Sequence, residues 1–165
     1  MTKPVKAIPE GMHSITPGLV IKGCGQAMDW YKKALGAVEI ARAPDPTGKL
    51  VWHGMLRIGD SMIMMNDEMP EMGGKGPEML GGSPVTLWLY ADDIDATFAR
   101  AVEHGATGIM PPMDMFWGDR MGKFRDPFGH EWALAKHIKD MTPEEMQKAQ
   151  DEFVASMAKG GGRPE

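Results

Sequence analysis

Residues 116–132, FWGDRMGKFRDPFGHEW, crowd tryptophans, phenylalanines, arginines, acids, a histidine and glycines into one short stretch. Gly118-Asp119 and Asp126-Pro127-Phe128-Gly129 supply two turns, with aromatic strand-like runs on either side. A hairpin with no other task needs only its turn residues and an alternating apolar face. Trp117, Arg120, Arg125 and His130 exceed that requirement. Indole faces beside guanidinium groups suit a pocket for a planar or anionic small molecule. The competing reading makes Arg120 and Asp126 surface charges and the aromatics core.

Two further residue types could carry chemistry. His53 is the best candidate for an acid/base group, because an imidazole titrates near neutrality; a structural histidine is the alternative. Methionine is overused, at 17 residues. Its unbranched, polarizable side chain fills irregular cores and adapts to varied ligands. Met62-Ile63-Met64-Met65 and Met113-Asp114-Met115 also have the close thioether spacing of Cu(I) sites, although packing on one face of a strand explains them as well. Cys24 is the lone cysteine, so neither a disulfide framework nor a cysteine-rich metal site is expected.

Composition narrows the partners. The chain has 165 residues and a formal net charge of −5, without a basic patch of the kind that tracks phosphate backbones, so nucleic acid is not an expected partner. No apolar run reaches the length of a signal peptide or a membrane span. A cytoplasmic protein with no membrane partner is expected.

Two halves of the chain repeat one pattern. Ala27, Trp30, Tyr31, Ala34 and Leu35 fall at helical spacing before Gly36; Ile94, Thr97, Phe98, Ala101 and Val102 do the same before Gly105, 69 residues later. Trp30 is thereby read as core. Strand-like runs flank each helix: 15–22, 37–43, 50–58 and 61–66 in the first half, and 84–91, 107–115, 120–125 and 130–136 in the second. The order β-α-β-β-β therefore occurs twice. The expected organisation is an N-terminal arm (1–12), a first βαβββ module (13–67), a Gly/Pro-rich linker or flap (68–83), a second module (84–139) and a C-terminal helix and tail (140–165). Thr142-Pro143-Glu144-Glu145 signals that last helix, with an N-cap, proline in the first turn and a capping-box glutamate. Met146, Ala149, Phe153 and Met157 mark its apolar stripe, and residues 160–165 are expected to fray.

ITPGLVIKG, the YKKALGA helix end, RIGDSMIMMNDE, VTLWLYADDIDATFARAVEHGA, the 116–132 run and DMTPEEM together resemble the vicinal oxygen chelate superfamily. That group contains glyoxalase I, bleomycin-resistance proteins and extradiol dioxygenases, and the chain looks closest to its PhnB-like branch. The resemblance implies an α+β fold of two paired βαβββ modules forming a cup-shaped mixed sheet that holds the ligand. It also implies four metal-ligand positions, which fall here on Thr16, Met64, Thr86 and Ala133. None is a usual ligand, so no metal or other cofactor is expected. Because alternate strand residues share a face, Trp88 and Tyr90 accompany Thr86 at the cup, and Met62 and Asn66 accompany Met64. The expected ligand-binding set is Met62, Met64, Thr86, Trp88, Tyr90, Trp117, Arg120 and His130.

The leading expectation is a metal-free binding protein that sequesters an aromatic or amphipathic molecule, as bleomycin-resistance-like proteins do. Arg120 would counter any negative charge on that molecule. The alternative is a lyase, isomerase or oxygenase with a metal at displaced ligands such as His53 and Glu131; a third reading is a structural dimer with no specific ligand. Exposed sheet edges and the stripe on the tail helix lead to the expectation of a homodimer.

Overall fold

The structure, a computed structural model, describes residues 5–159. The first module runs β1 (Gly18–Ile21), α1 (Cys24–Leu35), β2 (Val38–Pro44), β3 (Val51–Ile58) and β4 (Ser61–Asp67). The segment after it holds a 3₁₀ turn at Pro70–Met72 and a one-turn helix, α2 (Pro77–Leu80). The second module runs β5 (Thr86–Tyr90), α3 (Ile94–Glu103), β6 (Thr107–Asp114), β7 (Asp119–Arg125) and β8 (Glu131–His137), and α4 (Pro143–Lys159) follows it. The fold is thus α+β, with two four-stranded mixed sheets ordered β1-β4-β3-β2 and β5-β8-β7-β6.

Register shows the repeat at the level of single residues. Gly18 pairs with Met64 across the parallel β1–β4 ladder, and Trp88 pairs with Ala133 across β5–β8. Each sheet therefore has one parallel and two antiparallel pairings, and β2 and β6 lie at corresponding outer edges. Both edges carry register shifts, β2 around Ile40 and β6 around Pro111-Pro112. Bulges and prolines of this kind blunt an edge against further pairing.

One core serves both modules. Met28 of α1 packs on β3 so closely that a Cβ at Gly54 would sit 2.8 Å from its sulfur. From the same helix, the Trp30 ring lies 6.3 Å from Phe124 and the Tyr31 ring 5.5 Å from Trp132, both on the second sheet. Phe124 and Trp132 occupy the α3-bearing face of that sheet, in register opposite each other. The helix-bearing faces of both sheets thus meet in a shared core. Polar bonds reinforce this joint: the Trp30 indole donates to the His104 carbonyl (2.7 Å) and Arg100 Nε to the Ala34 carbonyl (2.8 Å). The core reading of Trp30 fits its 9% exposure, whereas Val102 of the second helical stripe is 41% exposed.

The segment expected as a flap is tied down. The Glu68 carboxylate accepts from Gly76 N–H, Lys22 pairs with Glu78, and Pro77 abuts Gly129 in the β7–β8 turn. At α4 the capping box is complete in both directions, with Thr142 N–H donating to Glu145 Oε2 and Glu145 N–H to Thr142 Oγ1. Phe153 of α4 stacks on Phe116 with ring centroids 5.0 Å apart. The expectation of fraying at 160–165 falls outside the described residues. Among the described residues, no helix is long and apolar enough to cross a membrane.

Candidate functional site

Strand alternation divides the second sheet into two populations. Phe124, Trp132, Leu87 and Leu89 take the helix side, while Thr86, Trp88, Tyr90, Met121, Lys123, Glu131, Ala133 and Ala135 take the other. On this second face Trp88 and Tyr90 stay 49% and 61% exposed, although both are large and aromatic. Their register partners on β8, Ala133 and Ala135, are small and fully buried, which leaves room above the strand. The corresponding face of the first sheet carries Met62, Met64, Asn66, Met55 and His53.

A cavity of about 540 Å³ lies where these features approach each other. Thr86, Trp88 and Tyr90 of β5, Met62, the Gly59-Asp60 turn and His13, Ile15 and Pro17 line it, with helix-side Leu87, Leu89 and Trp132 also at its boundary. It thus brings together four of the residues expected from the sequence, Met62, Thr86, Trp88 and Tyr90. Met64 lies one alternate position further along the Met62 face, and His53 is exposed on the adjacent strand of the same sheet.

The Tyr90 hydroxyl donates to Asp119 Oδ2 at 3.3 Å. Asp119 is 6% exposed, and its other oxygen meets His137 Nδ1 at 2.8 Å, while His137 Nε2 meets Asp140 at 2.9 Å. Desolvation, together with the Asp119 carboxylate, pushes the Tyr90 phenol above its ordinary value. Hydrogen bonds to the two aspartates raise the His137 imidazole. Sequence reading missed this chain, because Tyr90, Asp119 and His137 come from three strands. The nearest sequence signal is Asp119 itself, which beside Gly118 reads as a turn residue.

Three expected residues stand elsewhere. Arg120 lies on the helix side of β7, where its guanidinium grips Asp95 of α3 and Asp114 of β6 at 2.8 Å. It therefore braces α3 and does not line the cavity. Trp117 packs edge-on against Phe116 (5.0 Å), whose ring in turn stacks on Phe153 of α4. His130 is 9% exposed and joins the modules through Nε2 and the Val20 carbonyl at 3.2 Å. It borders a smaller gap of about 280 Å³ between β1 and β5.

The acid that opens the second turn of residues 116–132 has a structural role. Asp126, 3% exposed, accepts four hydrogen bonds: from Tyr31 Oη (2.6 Å), Trp132 Nε1 (2.9 Å), Phe128 N–H (3.0 Å) and His130 N–H (2.9 Å). Asp67 plays a similar part in the first module, receiving the N–H groups of Gly23, Cys24 and Val51 at 2.7–2.9 Å. Both buried carboxylates are consumed by architecture. Burial pushes the neighbouring Cys24 thiol up to about 12, which disfavours the thiolate near neutrality.

The metal positions implied by the resemblance offer two threonine hydroxyls, one thioether and one methyl group, at Thr16, Thr86, Met64 and Ala133. Hard divalent cations want carboxylate, carbonyl or imidazole donors, so these residues do not fit one. Among the described residues, no three His, Cys, Asp or Glu side chains converge into a metal-holding group. Glu131, one of the displaced ligands considered, is engaged by Lys123 (2.6 Å) and Arg125 (3.0 Å), which hold its carboxyl below the usual range.

The chain is similar to known proteins over this whole region. Uncharacterised proteins of Mycobacterium tuberculosis and Mycobacterium bovis are each 45% identical over 139 residues, covering 82% of this chain and 81% and 91% of those chains. Among solved structures, an Arabidopsis thaliana gene product is 28% identical with a TM-score of 0.61, covering 75% of this chain and 98% of its own. TioX from a Micromonospora species (23% identical, TM-score 0.58, 79% of this chain and 100% of that one) shares the fold. So does the PhnB protein of Bacillus cereus (17% identical, TM-score 0.59, 75% and 99%). Residues 11–134 match the Glyoxalase/Bleomycin resistance protein/Dioxygenase superfamily, and the chain belongs to that family.

Proposed function

We propose that this protein binds a small molecule with a flat or apolar body in the cavity walled by Trp88, Tyr90, Thr86 and Met62, and does so without a metal. The observation that carries the reading is the half-exposed Trp88–Tyr90 pair above two buried alanines. Large aromatic groups left open in a concave site gain free energy when a ligand covers them. Met62 adds a wall that can adapt to the ligand's outline. Sequestration needs no general base, and the acidic and thiol groups buried nearby serve the fold.

The assembly proposed with it is a homodimer. Outside the cavity, the sheet faces away from the shared core carry apolar groups including Met64 and Met113, and α4 adds exposed Phe153, Val154 and Met157. A second copy laid on these surfaces would remove them from water.

The ligand test compares wild type, Trp88→Leu and Trp117→Leu in a thermal-shift screen of planar compounds, followed by calorimetric titration of each hit. Covering about 100 Å² of indole contributes about 2.5 kcal/mol, so Trp88→Leu should weaken binding by one to two decades. Trp117→Leu should leave affinity unchanged. Hits that bind Trp88→Leu as tightly as wild type would remove the proposed site.

A further inference from the structure

The charge sense of the cavity differs from the one the sequence suggested. With Arg120 committed to Asp95 and Asp114 on the opposite side of the sheet, its guanidinium has no part in the site. Among the described residues lining the cavity there is neither lysine nor arginine, and Asp60 supplies the one carboxylate. The nearest cation along the chain, Arg57, is turned onto the Gly59 carbonyl at 3.1 Å. The Tyr90 hydroxyl donates its hydrogen bond to Asp119, which leaves its oxygen able to act only as an acceptor toward a ligand. Trp88 and Tyr90 share one strand face two residues apart, and an aromatic ring carries negative charge density on its faces.

From these features we infer that the ligand of this cavity is an organic cation: an apolar or flat body carrying a protonated or quaternary amine. This rests on the binding reading above and names the chemical class it takes. The apolar body would lie against Met62 and Ile15, and the ammonium would sit over the two rings, with Asp60 at the rim. A positive charge gains from aromatic faces and from the acceptor at Tyr90, whereas a carboxylate or sulfonate is repelled by them, and the lysine on this sheet face, Lys123, is already paired with Glu131. His137 stands behind Asp119 and offsets part of its charge, so the preference rests chiefly on the rings and Asp60.

Three probes sharing one ring system test this by calorimetry on the full chain: naphthylmethyl-trimethylammonium, naphthylmethanol and naphthylmethanesulfonate. The expected order is cation, then alcohol, then sulfonate, with about tenfold or more between the two charged probes. Trp88→Leu should weaken all three. Asp60→Asn should narrow the gap between cation and sulfonate while leaving the alcohol unchanged. Tyr90→Phe should keep most of the cation preference, and Tyr90→Leu should reduce it further. Trp88-dependent binding in which the sulfonate equals or exceeds the cation overturns the charge inference and leaves the binding site standing. If no probe binds in a Trp88-dependent way, both proposals fall.

Discussion

Replacing Asp126 with asparagine is the sharpest test of how the two modules are joined. The carboxylate accepts two side-chain donors on Oδ2, Tyr31 Oη and Trp132 Nε1, and two backbone donors on Oδ1. An amide of the same shape can keep only one accepting edge. If it keeps the backbone pair, its NH₂ group faces the indole N–H, which cannot reverse, and the Tyr31 hydroxyl, which can. One buried donor is then left unsatisfied and one charge-assisted bond becomes neutral. Hydrogen bonds to a charged group contribute about 1.5–3 kcal/mol, and an orphaned buried donor costs about 1–3 kcal/mol. The expected loss is about 2–4 kcal/mol, which in a domain of this size lowers Tm by about 5–15 °C. The assay is reversible thermal unfolding followed by circular dichroism, with Tyr31→Phe and the double variant alongside. Tyr31→Phe alone should cost about 1.5–3 kcal/mol, and much less once Asp126 is already asparagine, since the two groups act as one unit. An Asp126→Asn shift under about 2 °C, or full additivity of the two changes, would refute the bridging role.

Three other measurements follow from the structure. Light scattering at micromolar concentration should return the mass of a dimer; a monomeric mass removes that proposal. Elemental analysis of protein purified without chelators should find no stoichiometric zinc, nickel, iron or manganese, and about one such ion per chain would reverse the metal-free reading. His137 is raised by Asp119 and Asp140, so its stabilising contribution is complete below the ordinary histidine pKa and is lost as pH rises through the raised folded value. Wild type should therefore melt above His137→Gln near pH 6, and the gap should close by about pH 9; a gap that widens with pH would contradict this.

Much of the fold is legible in the chain because helix period, strand alternation and turn glycines agree within each half and then recur in the other. The side of each strand that faced the helices was harder to read. Trp88 and Tyr90 were assigned correctly to the face of Thr86, since β5 alternates without interruption. Arg120 is expected at the ligand from its aromatic neighbours in sequence alone, and its register opposite Lys136 puts it on the helix side. The turn Asp126-Pro127-Phe128-Gly129 was recognised as a turn. Its tie to Tyr31, 95 residues away, has no local signature. The Tyr90–Asp119–His137 chain escaped for the same reason, since three strands must pair before its members meet.

The long reach of the Tyr31–Asp126 bond also governs how the protein is made. A ribosome adding about 5–20 residues per second needs about 5 to 20 s to travel from Tyr31 to its acceptor. Throughout that interval Trp30 and Tyr31 have neither Phe124 nor Trp132 to cover them. The nascent first module therefore displays an aromatic surface to whatever chaperones attend the exit tunnel. A message truncated before codon 126 would yield a half-protein that cannot hide this surface, and proteolytic quality control would have an unambiguous feature to recognise.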